Sequence, residues 1–180
     1  MLIERADSLL LVVDLQERLA PSIHDAELAT ANNVRLLKAA SQLNVPAFVS
    51  EQYVRGLGHS LPEIRSATVN AEFFEKIHFG CAAEPGVVER LLATGRRQIL
   101  VTGMETHVCV LQSALGLKAL DFDVFLVADA ASSRTPENRQ LAIERMRACG
   151  VHIVTTEMVL FEWLHRAGTD DFRALLPLIK

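Results

Sequence analysis

The feature that most constrains the fold of this chain is the alternation of short apolar runs with longer amphipathic stretches. Six runs predict buried strands, at residues 8–14, 46–50, 73–79, 97–102, 123–128 and 152–155. Apolar residues at helical spacing predict helices at 27–43, 84–94, 106–120 and 136–148, and a broken helical tail at 157–180. A loop is expected at 51–60, marked by Gly56 and Gly58. Strands that are apolar on both faces and joined by helices indicate a parallel sheet covered on both sides.

The chain is therefore predicted to form a single three-layer, doubly wound α/β domain over residues 1–180. Its 180 residues are enough for one substantial core, and we find no internal repeat, linker or low-complexity segment. We expect about six parallel strands in the common order 3-2-1-4-5-6, with helices on both faces. In such sheets a ligand binds at the carboxyl ends of the strands where the order reverses, between strands one and four.

Composition excludes several classes of protein. The net charge of −4 argues against a nucleic-acid binder. No run approaches the ~18 apolar residues that span a membrane, and the first residues do not resemble a secretory signal. The three cysteines, Cys81, Cys109 and Cys149, form no Cys-x-x-Cys pair. This fits a reduced cytoplasmic protein and argues against a disulfide framework or a structural zinc site.

Cys109 follows the fourth predicted strand and lies in the first turn of the next helix, for which Thr106 is the predicted N-cap. Unpaired N–H groups and the helix dipole at that place stabilise a thiolate, which is a candidate nucleophile. The alternative is a small buried hydrophobic residue. The position of Cys109 at the predicted ligand-binding edge favours the catalytic interpretation.

Two charged residues are candidate partners of Cys109. Asp14 ends the first predicted strand, and its carboxylate can accept the thiol proton and later donate it; the alternative is a helix cap or a loop solvation group. Lys76 would stabilise the thiolate and hold the carboxylate. On the assumed order it lies two strands from Asp14, roughly 10 Å at ~4.8 Å per strand, a gap that its side chain and the sheet twist must close.

No cofactor is predicted. The turn at residues 14–18 has carboxylates where a dinucleotide-binding chain has Gly-x-Gly-x-x-Gly, and there is no P-loop. Carboxylate and imidazole side chains suggest a metal site, but no pair has the i, i+4 spacing of a helical zinc motif. We therefore predict no metal. The residues considered as ligands are Glu51, Tyr53, His59, His78 and His107.

Three segments, 12–16, 76–79 and 103–110, together resemble the signature segments of the isochorismatase-like cysteine hydrolases, in the same order and over almost the whole chain. The Gly-x-Glu-Thr-His-x-Cys form, with residues 50–53 and 175–180, is most similar to the isochorismatase domain-containing hydrolases of poorly known substrate. The resemblance implies a catalytic triad of Asp14, Lys76 and Cys109. It also implies a cis peptide between Met104 and Glu105, and an oxyanion hole formed by the N–H groups of Glu105 and Cys109.

In amidase relatives the cysteine attacks a carbonyl carbon, a thioester forms, and water activated by the aspartate releases the product. The isochorismatases proper cleave a vinyl ether instead, and some relatives lack the cysteine. The resemblance thus implies a cysteine hydrolase acting on a small amide or a related molecule. Nicotinamidase relatives carry an Asp-x-His metal motif where this chain has residues 51–53, Glu-Gln-Tyr, which argues against a bound metal and that activity.

Residues near these segments are predicted to form the substrate pocket: Gln16, Glu51, Tyr53, Phe79, Met104, Thr106 and His107. His107 is also a candidate base. The apolar tail at 158–164 predicts either core or a subunit contact, and because relatives are commonly oligomers we expect a homo-oligomer. Two alternatives stay open. One is a non-catalytic member of the fold that binds a metabolite or a protein; the other is a thiol redox protein in which Cys81 could resolve an oxidised Cys109.

Overall fold

The computed structural model describes residues 1–179, and its centre is a six-stranded sheet in the order β3-β2-β1-β4-β5-β6. Every pair of neighbouring strands is parallel. The predicted α/β class and the predicted strand order are therefore confirmed. The strands are β1 Ser8–Val13, β2 Ala47–Gln52, β3 Glu72–Lys76, β4 Gln98–Met104, β5 Asp123–Ser132 and β6 His152–Val154.

Helices connect the strands and cover both faces of the sheet. They are α1 Ala26–Leu43, α2 Val54–Leu57, α3 Pro62–Ser66, α4 Val87–Ala93, α5 Leu111–Lys118, α6 Pro136–Ala148, α7 Thr156–Leu164 and α8 Asp170–Ile179. Local sequence explains several helix ends. The Thr135 side chain caps α6 by accepting from the Asn138 N–H, and Pro136 occupies the first turn. None of the helices in residues 1–179 is both long and apolar enough to cross a membrane.

The central strand β1 is buried on both faces, which explains its uniformly apolar sequence. Leu10 and Val12 point into a core shared with α1, α7 and α8. Leu9, Leu11 and Val13 point into a second core shared with α4, α5 and α6. Because side chains alternate along a strand, this single segment supplies both layers of packing. The carboxyl end of β1 is consequently held on both sides.

Three predicted boundaries differ from the structure. The helix expected at 84–94 begins at Val87, because Gly86 has a φ of 77° that an α-helix does not accommodate. The third strand, expected at 73–79, ends at Lys76. The loop expected at 51–60 starts with the last residues of β2 and contains the short helix α2.

The segment before α5 also differs from the prediction. Residues 106–110 form a π-helical turn, in which the Val110 N–H donates to the Glu105 carbonyl at 3.2 Å. Thr106 is therefore not an N-cap, and its hydroxyl has no hydrogen-bond partner among the described residues. In this turn the Glu105 carbonyl accepts from the N–H five residues later, whereas in an α-helix it would accept from the N–H four residues later. The spacing of apolar residues does not distinguish the two patterns.

The apolar tail at 158–164 mainly forms core. Val159, Leu160, Trp163 and Leu164 are buried, whereas Met158 and Phe161 are about half exposed. The Trp163 indole N–H donates to the Ser8 hydroxyl at 2.8 Å, so α7 is tied to the start of β1. Lys180, the last residue of the predicted tail, lies outside the described residues.

Candidate active site

The carboxyl ends of β1 and β4 lie side by side, as the predicted strand order requires. Val13 pairs with Gly103, and a Cβ on Gly103 would lie 1.9 Å from the Val13 carbonyl oxygen. Only glycine allows the two strands to approach so closely, and its φ of 111° is also unsuited to other residues. Asp14 follows β1 with a φ of 53°, and the peptide bond between Met104 and Glu105 is cis.

Asp14 and Lys76 form a fully buried ion pair. The Lys76 Nζ lies 2.7 Å from Asp14 Oδ2, and both side chains are inaccessible to solvent. Lys76 is the last residue of β3, so its extended side chain crosses β2 to reach the end of β1. The Lys76 side chain therefore spans the separation of roughly 10 Å that the strand order predicts between the two backbone positions.

Two residues of β2 complete this network. The Ser50 hydroxyl donates to Asp14 Oδ1 at 2.7 Å, so both carboxylate oxygens have a donor. The Lys76 ammonium donates to Gln52 Oε1 at 2.6 Å and to the Phe79 carbonyl at 3.0 Å, in addition to Asp14. An ammonium has three N–H donors, and here each has an acceptor. Ser50 and Gln52 were not among the predicted site residues.

The Cys109 thiol lies beside the Asp14 carboxylate and is almost fully buried. Burial is the main cause that raises the pKa of the thiol, and the negative charge of Asp14 raises it further, although the charge of Lys76 acts in the opposite direction. The expectation of a stabilised thiolate is therefore wrong. Its physical reason is tertiary: desolvation and a neighbouring carboxylate outweigh the favourable end of the helix.

Asp14 complements this thiol as a proton acceptor. Burial raises the pKa of the Asp14 carboxyl above its ordinary value, while Lys76 opposes the shift through its charge and its hydrogen bond. A carboxylate with a raised pKa is a stronger base than an ordinary aspartate and can return the proton later as an acid. The pair is arranged for a resting thiol whose proton can move to Asp14.

Two of the predicted pocket residues lie in the interior. Gln16 is fully buried; its Nε2 donates to the carbonyls of Gln52 and Gly58 at 2.9 and 2.7 Å, and its Oε1 accepts from the Gln52 N–H at 2.7 Å. The Met104 side chain belongs to the core. Gln16 thus fixes the end of β2 and Met104 fills the core, and a place for either residue in a substrate pocket stays a prediction.

Glu51 is also buried and anchors the segment that follows α2. Its Oε1 accepts from the Ser60 N–H at 2.7 Å and from Arg65 Nη2 at 2.6 Å, and its Oε2 lies 3.0 Å from His59 Nδ1. Burial alone would raise the pKa of Glu51, but the hydrogen bonds from Ser60 and His59 and the charge of Arg65 outweigh it and lower this pKa. Glu51 therefore binds neighbouring protein groups. Over residues 1–179, no three His, Cys, Asp or Glu side chains gather closely enough to hold a metal.

The remaining predicted pocket residues have different degrees of exposure. Tyr53 and Phe79 are each 54% exposed. His107 is half-buried, with Nδ1 3.0 Å from the Ser133 hydroxyl. Thr106 is fully buried with its hydroxyl unpartnered within the described chain. These four residues come from three different loops at the same edge of the sheet.

Glu105 connects the π-helical turn to the loop after β5. Its carboxylate accepts from Arg134 Nε at 2.6 Å, and its carbonyl accepts from the N–H groups of Val108 and Val110. The turn that carries Cys109 is thereby fixed at its first residue. The oxyanion hole formed by the N–H groups of Glu105 and Cys109 stays a prediction.

The second buried thiol, Cys81, lies close to the same network. Its backbone N–H donates to the Ser113 hydroxyl at 2.9 Å. Burial, and then the charge of Asp14, raise the pKa of Cys81 to about 11, so this thiol is protonated at neutral pH. Cys149, at the end of α6, is exposed and remote in sequence from the site.

Comparison with known proteins identifies the family of this chain. The model of the isochorismatase domain matches residues 8–158. The chain is 34% identical to isochorismatase family protein 1B of Dictyostelium discoideum, over 96% of this chain and 86% of that protein. The chain belongs to the isochorismatase family. The secreted isochorismatase effector Isc1 of Phytophthora sojae, another relative, is 36% identical over 96% of this chain and 84% of its own.

Solved structures show the same isochorismatase fold. The MAR1 ribonuclease from Caenorhabditis elegans superimposes with a TM-score of 0.94 at 32% identity, over 99% of this chain and 92% of that one. The ycaC gene product from Escherichia coli, described as an octameric hydrolase of unknown specificity, superimposes with a TM-score of 0.92 at 25% identity, over 99% and 90%. The resemblance inferred from three sequence segments is confirmed, and membership of this family supports a hydrolase-type fold.

Proposed function

We propose that this protein is a cysteine hydrolase that acts on a small amide or a related small molecule, with Cys109 as nucleophile and Asp14 and Lys76 as its partners. One observation carries the proposal. The Asp14 carboxylate is fully buried, is fixed by Lys76 Nζ at 2.7 Å, and lies beside the thiol of Cys109. A buried carboxylate next to a protonated thiol is the pair that general-base activation of a nucleophile requires.

The reaction begins with a protonated Cys109 and an ionised Asp14. As the sulfur attacks the electrophilic carbon, its proton moves to Asp14, and the developing oxyanion is stabilised by the N–H groups of Glu105 and Cys109. Asp14 then gives the proton to the departing amine, which leaves a thioester on Cys109. Water loses a proton to Asp14 and attacks the thioester, and Asp14 returns this proton to the departing sulfur, so that the acid and the free thiol are released. Lys76 remains an ammonium throughout and holds the carboxylate in place.

A structural neighbour supports a nucleophilic site in this fold. YcaC from Pseudomonas aeruginosa, 26% identical with a TM-score of 0.91, has been solved with covalent acrylamide. Acrylamide is both an electrophile and a small amide, so it is a suitable probe for the present chain. We expect it to modify Cys109, since the neighbouring base can take up the thiol proton.

The test is a screen of small amides with detection of the acyl-enzyme by mass spectrometry. Turnover should be lost in Cys109→Ala and kept in Cys149→Ala, which removes the exposed cysteine as a matched control. An adduct on the Cys109 peptide, absent from the control position, is the expected intermediate. Undiminished hydrolysis by Cys109→Ala would reject the nucleophile. Ligand binding without any turnover or adduct would favour the non-catalytic alternative.

RNA cleavage is a second candidate, because a neighbour at 32% identity is named MAR1 ribonuclease. The net charge of −4 argues against it, since RNA binding depends on neutralising phosphates. We expect no cleavage of single-stranded or structured RNA. Cleavage that disappears in Cys109→Ala would replace the amide proposal, whereas cleavage that persists in that variant would indicate a contaminating nuclease.

We also propose a homo-oligomer, because the Escherichia coli neighbour is described as octameric. Light scattering coupled to size-exclusion chromatography should give a mass that is a multiple of 19.9 kDa. A single 19.9 kDa species at micromolar concentration would contradict this. The predicted cytoplasmic location stays a prediction, and one relative is named as secreted.

A further inference from the structure

Gln52, a residue of β2 that the sequence did not indicate as part of the site, contacts the lysine of the Asp14–Lys76 ion pair. Its side chain is 7% exposed, with Oε1 2.6 Å from Lys76 Nζ and Nε2 2.8 Å from the carbonyl oxygen of Ile77. This amide is therefore inserted between the catalytic lysine and the backbone of the loop that follows β3.

The orientation of the Gln52 amide is determined by its partners. An ammonium can only donate, so it must face the amide oxygen, and a backbone carbonyl can only accept, so it must face the amide nitrogen. Exchanging the two atoms would lose both hydrogen bonds. The amide oxygen thus faces Lys76 in a fixed arrangement.

The backbone of Gln52 is fixed as well. The side-chain amide of Gln16 accepts from its N–H at 2.7 Å and donates to its carbonyl at 2.9 Å. The strand register places Gln52 directly beside Lys76 on β3. Both ends of the contact therefore start from fixed backbone positions.

The contact matters because Lys76 is fully buried with one acceptor for each of its three N–H groups. Without the Gln52 amide, one N–H of a buried cation loses its acceptor, which is costly. The ammonium would then shift to recover a partner, and the hydrogen bond to Asp14 Oδ2 would weaken. Asp14 would hold its negative charge less readily.

We propose that Gln52 is a positioning residue of the site: it holds the Lys76 ammonium against Asp14, so that the ionised carboxylate is ready to accept the proton of Cys109. This inference rests on the proposed function. Gln52 does not touch the reacting thiol; it acts through Lys76. Its loss should therefore change the pH at which the site becomes reactive, which a merely structural glutamine would not do.

The experiment measures the rate of Cys109 alkylation by iodoacetamide against pH, by peptide mass spectrometry, in the full-length protein. Gln52→Met keeps the length of the side chain and removes its polar atoms. We expect the acidic limb of the profile to move to higher pH, with alkylation about tenfold slower than wild type on that limb, the size expected for one hydrogen bond to a buried charge.

Gln98→Met is the matched control. Gln98 is 3% exposed and its amide also makes two hydrogen bonds, from the Glu4 N–H and to the Leu2 carbonyl, but it lies at the opposite end of the sheet. Its profile should superimpose on that of wild type. If Gln52→Met does not fold, Gln52→Asn withdraws the amide by one methylene, and it should shift the limb in the same direction.

Two further results separate this inference from the proposed function. Asp14→Asn should remove the limb that Asp14 sets and leave only the rise in alkylation that follows ionisation of the thiol itself; a profile in this variant that superimposes on that of wild type would reject Asp14 as the proton acceptor, and with it the proposed function. If Asp14→Asn removes the limb while Gln52→Met and Gln52→Asn superimpose on wild type, only the positioning role of Gln52 is rejected. A shift of equal size in Gln98→Met would also reject it.

Discussion

The two sides of the candidate site differ in how far the protein itself satisfies their polar groups. On the side formed by β1, β2 and β3, both oxygens of Asp14 and all three N–H groups of Lys76 have protein partners. On the side formed by β4 and β5, Thr106 has a buried hydroxyl without a partner in the described chain, and His107 is only half-buried. Under the proposed function, the first side is organised in advance to move a proton. The second side has a hydroxyl group that we propose to contact the substrate.

Because of this difference, substitutions on the two sides should affect the stability of the protein to different extents. Groups on the first side are linked so closely that changing one disturbs the charge of another, so substitutions there should affect both folding and reactivity. On the second side, the Thr106 hydroxyl makes no hydrogen bond within the described residues, so it contributes little to the folding energy. Its removal should change activity at little cost in stability.

The largest expected effect is that of Asp14→Asn on turnover. Loss of a general base typically lowers the rate by about 10²–10⁴-fold. The backbone should tolerate asparagine, since this residue adopts the left-handed φ of 53° found at this position. Asp25→Asn is the matched control, with a φ of 51° at an exposed site, and it should leave kcat unchanged. Turnover by Asp14→Asn within a factor of two of wild type would contradict the assignment of the base.

Next comes the effect of Lys76→Met on stability. Removing one partner of a buried ion pair leaves an uncompensated charge and typically costs about 3–5 kcal/mol. Without the ammonium the pKa of Asp14 should rise further, so Asp14 can become neutral in acid and the loss should be smaller at pH 5 than at pH 8. Urea denaturation at both pH values measures it, with the exposed Lys38→Met as control. Equal losses at the two pH values would contradict this coupling.

On the second side, Thr106→Val tests whether the unpartnered Thr106 hydroxyl forms a hydrogen bond with the substrate. The hydroxyl has no partner within residues 1–179, so its removal should leave the free energy of unfolding within about 1 kcal/mol of wild type or raise it. Turnover should fall about tenfold, the worth of one hydrogen bond to a reacting molecule. Ser60→Ala removes the other buried hydroxyl without a partner in the described chain and should leave turnover unchanged. A large loss of stability in Thr106→Val would place Thr106 on the structural side.

The smallest effect concerns Glu51 and its pH dependence. Because the pKa of Glu51 is lowered by folding, its contribution to stability is present above the unfolded value and is lost as the pH falls through the folded value. Arg65→Ala should therefore destabilise by about 1 kcal/mol or less at neutral pH, since Arg65 is 45% exposed and solvent screens the pair. The loss should shrink as the pH falls below the ordinary glutamate range and through the lowered pKa of Glu51.

The control for this measurement is Arg90→Ala. Arg90 stacks on Phe74 at 5.1 Å, as Arg65 stacks on Phe73 at 5.1 Å, but its carboxylate partner, Glu72, is exposed. Thermal unfolding from pH 3 to pH 8 compares the two. A constant effect of Arg65→Ala over that range would show that the ring contact, and not the ionised Glu51, carries the stabilisation.

The apolar runs predicted a parallel sheet, and its common strand order placed Asp14 beside Cys109, because apolar runs and their spacing are local signals. Lys76 joined them only through the family resemblance, since the assumed order left a gap of roughly 10 Å. The sequence did not indicate Ser50 and Gln52. They alternate on one face of β2 at its carboxyl end, which is a readable signal, but residues 51–53 were interpreted as an altered metal motif. Hydrogen bonds between side chains of different strands depend on the strand register, and the sequence of a single segment does not determine that register.

For a related reason, the pKa of the Cys109 thiol was predicted to be lowered, whereas its surroundings in the structure raise it. The sequence places the thiol at the start of a helix, which favours a thiolate. The structure adds burial and the charge of Asp14, which favour the thiol and dominate. Likewise, the π-helical turn at 106–110 replaced the expected cap at Thr106. Both differences arise from tertiary surroundings that no local pattern contains.

The most direct test of Asp14 as the proton acceptor is a titration of the Cys109 thiolate, followed by its absorbance at 240 nm as the difference between wild type and Cys109→Ala. We expect a thiol at neutral pH that ionises above the ordinary value of ~8.5. We also expect Asp14→Asn to lower the pKa of this thiol, because a neighbouring negative charge is lost. A thiolate already present at pH 7 in wild type, and unchanged by Asp14→Asn, would contradict the claim that Asp14 accepts the proton of Cys109.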